Sequence, residues 1–232
     1  MNKYVLIVAG GKGLRMGGDL PKQFIPMRGK PLLMHTLEAF HRWDASARII
    51  LVLPEDHQPY WNMLCKEIGC KVPHAIVKGG DTRFFSVKNG LDWLLAERCR
   101  KGEEDSGLSL VAVHDGVRPF ISPEVVEACF DKAAVTGAVI PVVPMIDSLR
   151  ETDEKGSHPV DRSRYMAVQT PQVFHLELLT KAYEQPYSSL FTDDASVVEA
   201  MGHAIDTVPG DRENIKITTP FDLLIAEAMF AR

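Results

Sequence analysis

The chain has 232 residues, 45% of them hydrophobic, with a formal charge of -5; a chain of this size can bury a full core in one unit, so a single domain over 1–232 is expected. The mild acidic balance argues against nucleic acid as the main partner, because a surface that tracks phosphates carries a basic excess. No apolar run reaches the ~18 residues of a membrane span, and Met1-Asn2-Lys3 leads directly into a strand pattern, so a soluble cytoplasmic protein without membrane contact is expected.

In chain order, Tyr4 to Ala9 reads as a buried strand. A glycine-rich loop follows, and Pro31 opens a helix through about Phe40. Ile49 to Leu53 is a second strand, about Asp56 to Ile68 a helix closed by Gly69, and Ala75 to Val77 a third strand. A helix from about Arg83 to Arg98 precedes the charged turn Arg100 to Gly107, and Leu110 to Val113 is a strongly apolar strand ending at His114 and Asp115. Ser122 caps a helix that starts at Pro123 and stops before Gly137; Ala138 to Val143 is the next strand. This alternation predicts an α/β fold, a doubly wound and mostly parallel sheet of Rossmann-like type.

From about 144 to 172 the chain is polar, carries both signs of charge and lacks a helical stripe, so it is expected to project as an inserted arm. Helices around Leu176 to Glu184 and Ala195 to Met201, a strand at Ile205 to Val208, a strand-like Asn214 to Thr218 and a last helix with Thr219 as cap and Pro220 at its first position complete the chain. Cys65, Cys70, Cys99 and Cys129 have neither C-x-x-C spacing nor a dense pattern, as expected of reduced thiols.

Ala9-Gly10-Gly11-Lys12-Gly13-Leu14-Arg15-Met16 follows the first strand, where backbone N–H groups can approach a phosphate or base. It lacks the third glycine of the dinucleotide fingerprint and the Gly-Lys-[Ser/Thr] of a Walker loop. Arg15, and Lys22 in Pro21-Lys22-Gln23, add the charge that a triphosphate needs. Taken alone, the same residues also describe a glycine turn with solvated cations. Gly79-Gly80-Asp81-Thr82-Arg83, with Ser86 one turn on, lies at another strand's carboxyl end and reads as a base or ribose contact or as a capped turn. His114-Asp115-Gly116-Val117-Arg118-Pro119 sets a carboxylate where a Mg²⁺ shared with substrate phosphates could bind. His114, with no metal-spaced partner, reads as a packed, hydrogen-bonded histidine. Asp161-Arg162-Ser163-Arg164 and Gln169-Thr170-Pro171-Gln172 in the arm are polar groups without an evident core role; Thr192-Asp193-Asp194 reads first as a helix cap, which does not exclude contact with a ligand hydroxyl, and a buried Lys216 would need a paired anion.

In this order the segments Gly11-x-Gly13-x-Arg15-Met16, Pro21-Lys22-Gln23, Gly80-Asp81-x-Arg83-x-x-Ser86, His114-Asp115-x-x-Arg118-Pro119, Thr170-Pro171-Gln172, Thr192-Asp193 and Asn214-Ile215-Lys216 resemble the 2-C-methyl-D-erythritol 4-phosphate cytidylyltransferase family over nearly the whole chain. The resemblance implies transfer of a cytidylyl group from CTP to a polyol phosphate, with Arg15, Lys22, Arg162 and Lys216 as catalytic residues. Ala9, Gly10, Gly80, Asp81 and Ser86 would surround cytosine and ribose, and Gly11, Gly13 and Arg83 would complete the CTP site. Asp115, Arg118, Ser148, Thr170 and Thr192 would face the acceptor, with Asp115 also beside Mg²⁺. The arm would clasp its equivalent in a second subunit, implying a homodimer.

Two positions depart from the family pattern: Ala9-Gly10-Gly11 stands where Ala-Ala-Gly is common, and Gly116-Val117 where Ala-Ala is common. Ser148 aligns with a threonine and keeps the hydroxyl. Three other readings share parts of this pattern: a ribitol 5-phosphate cytidylyltransferase, a sugar-1-phosphate nucleotidyltransferase and a non-catalytic nucleotide-binding scaffold.

Overall fold

A computed structural model describes residues 1–10, 20–103 and 107–231. Strand β1 (Asn2–Val8) starts the chain, and a small hairpin of β2 (Pro26–Met27) and β3 (Lys30–Pro31) leads into α1 (Leu32–Trp43). Pro31 is therefore the residue before the helix rather than its first. Then follow β4 (Arg48–Leu53), α2 (Gln58–Ile68), β5 (His74–Lys78), α3 (Arg83–Lys101) and β6 (Ser109–Asp115). A short 3-10 turn, Glu55–His57, takes the place of the first turn expected for α2. Gly69 at φ 74° and Gly102 at φ 66° end α2 and α3 in the left-handed conformation that glycine adopts without a Cβ clash. The helix α3 thus runs through the start of the charged turn expected from Arg100.

Next come α4 (Pro123–Thr136), capped by Ser122, and β7 (Ala138–Pro144). The arm begins as a separate hairpin of β8 (Leu149–Asp153) and β9 (Gly156–Val160). The stretch expected to project as a whole does not do so. β10 (Met166–Val168) and β11 (Gln172–His175) return to the main sheet. Periodicity does not reveal this, because β11 has only four residues and is buried on both faces through Val173 and Phe174. Helices α5 (Leu176–Ala182) and α6 (Asp194–Glu199), strand β12 (Asp206–Pro209) and α7 (Pro220–Phe230) complete the fold. Residues 214–218 form no strand; they are a loop pinned by the buried Asn214 and Ile217.

Among the described residues the main sheet has eight strands in the order β10-β7-β11-β6-β1-β4-β5, with β12 also pairing with β7. β1 pairs parallel with β4 and β6, β4 with β5, and β12 with β7. β11 is antiparallel to both β6 and β7, and β10 is antiparallel to β7. The sheet is thus mixed and mostly parallel, an α/β fold with helices on both faces.

Alternation along the strands builds the two layers. Val5, Ile7, Ile49, Leu51, Leu110 and Ala112 pack with side chains of α1, α2 and α4. Tyr4, Leu6, Ile50, Val52, Val111 and Val113 pack with those of α3, α5 and α6. After β5 the chain crosses back to lay β6 on the far side of β1. This reversal opens a crevice between the carboxyl ends of β1 and β6, where ligands of open α/β sheets bind. Among the described residues no helix is long and apolar enough to cross a membrane.

Candidate active site

The crevice is lined by Val8, Ala9 and Gly10 after β1, Lys22 and Gln23, the turn Gly80–Arg83 with Ser86, Asp115 and Val117 after β6, and Lys216. Backbone bonds tie its rim together. Ala9 donates to the Val52 carbonyl at 3.0 Å, Gly79 to Leu53 at 2.7 Å and Gly116 to Val8 at 2.9 Å. A Cβ at Gly116 would lie 2.8 Å from that of Ala9, so glycine lets the ends of β1 and β6 abut.

Asp115 is the last residue of β6 and 8% exposed. Its Oδ2 meets Lys216 Nζ at 3.0 Å and Arg118 Nε at 3.2 Å, while Oδ1 lies 4.0 Å from Arg83 Nε. Burial opposes ionisation of this carboxyl, but Lys216, Arg83 and Arg118 outweigh it and hold the group well below the usual carboxylate range. A second network sits beneath. His114 Nε2 faces the Arg118 carbonyl at 3.0 Å and so carries the proton. Its Nδ1 then accepts from the Thr170 hydroxyl at 3.1 Å, and that oxygen accepts the Asp115 N–H at 3.1 Å. Burial pushes the His114 imidazole down to about 4, so it is neutral and serves as a fixed strut. Asn214 Nδ2 donates to the Thr170 carbonyl at 2.8 Å, and Arg118 Nη1 donates to the Asn214 carbonyl at 2.7 Å. Ile217 N–H bonds Val117 at 3.0 Å, so Lys216 is carried to Asp115 between two anchored neighbours.

On the opposite wall, Gly80 N–H donates to Ser86 Oγ at 3.1 Å, and that hydroxyl donates to the Thr82 carbonyl at 2.9 Å. A Cβ on Gly80 would fall 2.4 Å from that of Phe85, so the turn can close on α3 only with glycine there. Lys22 begins a 3-10 turn, Lys22–Phe24, whose base is buried: Phe24 packs edge-on to Tyr60 and stacks on Trp61. Gln23, 1% exposed, donates from Nε2 to the Ala9 carbonyl at 3.0 Å and sits 3.2 Å from His57 Nδ1.

The structure therefore gathers Ala9, Gly10, Lys22, Gly80, Asp81, Arg83, Ser86, Asp115 and Lys216 along one crevice, with Arg118 and Thr170 in its floor. Gly11, Gly13 and Arg15 lie outside the described residues. Arg83 lines the crevice, yet its guanidinium forms a two-pronged pair with Asp194, Nη1 to Oδ1 at 2.9 Å and Nη2 to Oδ2 at 2.5 Å. Expected as a CTP contact, this side chain lines the crevice with its guanidinium already paired to a carboxylate. Burial works against its charge, and Asp194 more than restores it. Thr192, Ser148 and Arg162 are not among the residues lining the crevice. Arg162 Nη1 donates to the Ile146 carbonyl at the base of the arm. A linear reading does not single out Gln23, Asp194 and Tyr183 as site-supporting residues. Only the place of Gln23 beside Lys22 draws attention to it.

Among the described residues no group of three or more His, Cys, Asp or Glu side chains is placed to hold a metal. Asp115 offers one carboxylate, with one oxygen already shared by two cations. Such a donor set suits a Mg²⁺ that arrives with a triphosphate and keeps most of its ligands as water and phosphate oxygens.

The chain matches the family described as IspD, 2-C-methyl-D-erythritol 4-phosphate cytidylyltransferase, over residues 4–232. It is 55% identical over 229 residues to the protein of that name from Bacteroides fragilis, covering 99% of this chain and 100% of the relative. To the Porphyromonas gingivalis protein of the same name it is 51% identical over 229 residues, covering 98% and 97%. Among solved structures, the 2-C-methyl-D-erythritol 4-phosphate cytidylyltransferase of Thermus thermophilus superposes with a TM-score of 0.74 at 31% identity, covering 100% of each chain. The 4-diphosphocytidyl-2C-methyl-D-erythritol synthase of Anaerococcus prevotii gives 0.79 at 28% identity, covering 100% of this chain and 96% of that one. With identity above one half along the full length, the same fold and a polar crevice at the sheet's switch point, the chain belongs to the 2-C-methyl-D-erythritol 4-phosphate cytidylyltransferase family.

Proposed function

We propose that the protein joins 2-C-methyl-D-erythritol 4-phosphate to CTP, giving CDP-methylerythritol and pyrophosphate for isoprenoid precursors by the non-mevalonate route. The observation that carries this reading is the meeting of Lys22, Lys216 and Asp115 with the Gly80 turn in one crevice of a chain that matches the family from end to end. In the reaction, a phosphate oxygen of the acceptor attacks the α-phosphorus of CTP and the bond to the bridging oxygen of pyrophosphate breaks. The attacking oxygen is already ionised near neutral pH, so no general base is needed, and catalysis rests on positioning and charge neutralisation.

Lys22, with Arg15, neutralises charge that develops at the α-phosphate. Cytosine and ribose lie against Ala9, Gly10 and the turn bearing Gly80, Asp81 and Ser86. Lys216, held at 3.0 Å by Asp115, takes the acceptor phosphate, aided by Arg162 from the arm of a second copy. Asp115 and Arg118 border the acceptor, Thr170 supports them from below, and Ser148 and Thr192 add hydroxyls for it. Mg²⁺, when bound with the triphosphate beside Asp115, supplies charge neutralisation and alignment of the phosphates. The protein acts as a homodimer in the cytoplasm, where its free thiols stay reduced.

The test is pyrophosphate release from CTP and Mg²⁺ with 2-C-methyl-D-erythritol 4-phosphate, run beside ribitol 5-phosphate and a control without acceptor. Release with the first acceptor alone is expected. Release with ribitol 5-phosphate alone would keep the chemistry and change the pathway, and CTP binding without release in either arm would favour a binding role.

A further inference from the structure

Arg83 is the first residue of α3, where a cation is disfavoured by the positive end of the helix dipole. Its neighbours explain its presence. The guanidinium fork holds both oxygens of Asp194, a carboxylate with 0% exposure at the first position of α6, and the remaining Nε faces Asp115 at 4.0 Å. Tyr183 donates its hydroxyl to Asp194 Oδ1 at 2.6 Å and completes the set. The segment on the Asp194 side is itself braced. Asp193 caps α6 through Ser196 N–H at 2.9 Å, Thr192 N–H donates to Ser196 Oγ at 3.0 Å, and Gln172 grips both Asp193 Oδ2 and Ala195 N–H. On the Arg83 side, the same residue directly follows the Gly80–Thr82 turn that Ser86 closes. Arg83 therefore stands where two walls of the crevice, the turn after β5 and the floor at Asp115, meet the segment from 192 to 196, which does not itself line the crevice.

We infer that Arg83 is a positioning residue that couples the nucleotide side of the crevice to its acceptor side, with Asp194 as its anchor. The labels nucleotide and acceptor rest on the function proposed above; the mechanical coupling does not. A two-pronged Arg–carboxylate pair fixes orientation as well as distance, so neither turn can shift without moving the other or breaking the pair. Lysine keeps the charge but loses the planar fork and with it this constraint.

The coupling is read from amide hydrogen exchange of the full chain without ligand, comparing wild type with Arg83→Lys and Asp194→Asn. Each variant is expected to speed exchange at least tenfold in both segments, 80–86 and 192–196, while β1 and β4 keep their wild-type rates. Faster exchange confined to the altered residue's own segment would overturn the inference, as would no change. Where Asp194→Asn fails to fold, Arg83→Gln supplies the second variant with the same expected pattern. Steady-state rates add a readout that a purely structural role would not move. Because both segments loosen, Arg83→Lys is expected to raise the acceptor KM at CTP saturation and the CTP Kd by at least threefold each. A raised CTP Kd with unchanged acceptor KM would make Arg83 a direct nucleotide contact and overturn the coupling role. If the wild type turns over no polyol phosphate, the proposed function fails, and the exchange experiment alone decides the inference.

Discussion

The floor of the crevice and the β8–β9 hairpin are both rich in charge, yet they use it differently. Polar side chains of the floor are held by partners from distant parts of the chain: Asp115 by Lys216 as well as its neighbour Arg118, Thr170 by His114 and Asn214, Gln169 by Asp211 and Asn214. In the hairpin the pairs are local and exposed, such as Arg150 with Ser157 and His158 with Glu151. Charges on the floor are pre-organised by the fold itself, at the cost of desolvation that must be offset by pairing. Charges on the arm stay solvated, and their local pairs are screened by water and salt. That contrast separates two of the proposed functional residues: Lys216 is placed within its own chain, whereas Arg162 has its proposed place in a second copy.

Four substitutions test this contrast. The largest effect is expected at the crevice wall, where Lys22→Ala lowers kcat by about 10²–10³-fold, the usual consequence of removing one donor from a developing oxyanion. The CTP Kd is expected to change by less than about threefold, because the strongest contact forms in the transition state. Equal losses in both would make Lys22 a ground-state binder. On the arm, Arg162→Ala is expected to lose at least about tenfold in turnover while stability in urea moves by less than about 0.5 kcal/mol, as for an exposed side chain. Mixed with Lys22→Ala, verified heterodimers are expected to regain activity, because one crevice then combines a wild-type Lys22 with a wild-type Arg162. No recovery would place Arg162 in its own subunit.

At the floor, Asp115→Asn leaves Lys216 and Arg118 without their carboxylate. A stability loss of about 1–3 kcal/mol is expected, discounted from a fully buried pair because Lys216 is 42% exposed at its side chain. Asp115 is held below its ordinary value, so its stabilisation is fully present above the unfolded pKa and is lost as pH falls towards the folded one. Urea midpoints of the variant in metal-free buffer are therefore expected to be lower than wild type at pH 7, with a gap that starts to narrow only as pH falls below about 4.

The effect at His114 is confined to the acid range. An ordinary value of 6.5 lowered by burial to about 4 means the unfolded chain takes up the proton first, so stability falls as pH drops from about 6.5 towards 4. The loss is at most about 3 kcal/mol at the acid end and about 2 kcal/mol by pH 5. His114→Gln is expected to flatten the decline between pH 7 and 5, and an unchanged slope would show that His114 is not the group responsible.

Much of this molecule is legible without coordinates. The β-branched runs and their breakers predict β1, β4, β5, β6 and β7 to within a few residues, and Gly69, Ser122 and Gly137 mark helix ends where the structure has them. The glycine turn after β5 and the carboxylate at the end of β6 are also evident, since strand ends of a doubly wound sheet are where ligands gather. Two features are not. β11 is too short to show a period, and its antiparallel insertion between β6 and β7 is decided by pairing rather than by pattern. Arg83 is expected as a CTP contact only by resemblance, and Asp194 reads as part of a helix cap; only their approach to 2.5 Å assigns each its partner.

The layers follow from the order of residues alone, because alternation of buried side chains along a strand and helix-period stripes between strands carry their own geometry. That order also set the chemical inventory: cations near a glycine loop, one carboxylate at a central strand end, and a polar insertion. The tertiary structure decided which of these groups meet. Lys216 reaches Asp115 because Asn214 and Ile217 are anchored on either side of it, and the arm is reduced to a hairpin because β10 and β11 find open edges of β6 and β7. Such contacts join residues far apart in the chain, and their energies depend on burial and orientation, quantities that exist only once the chain has closed on itself.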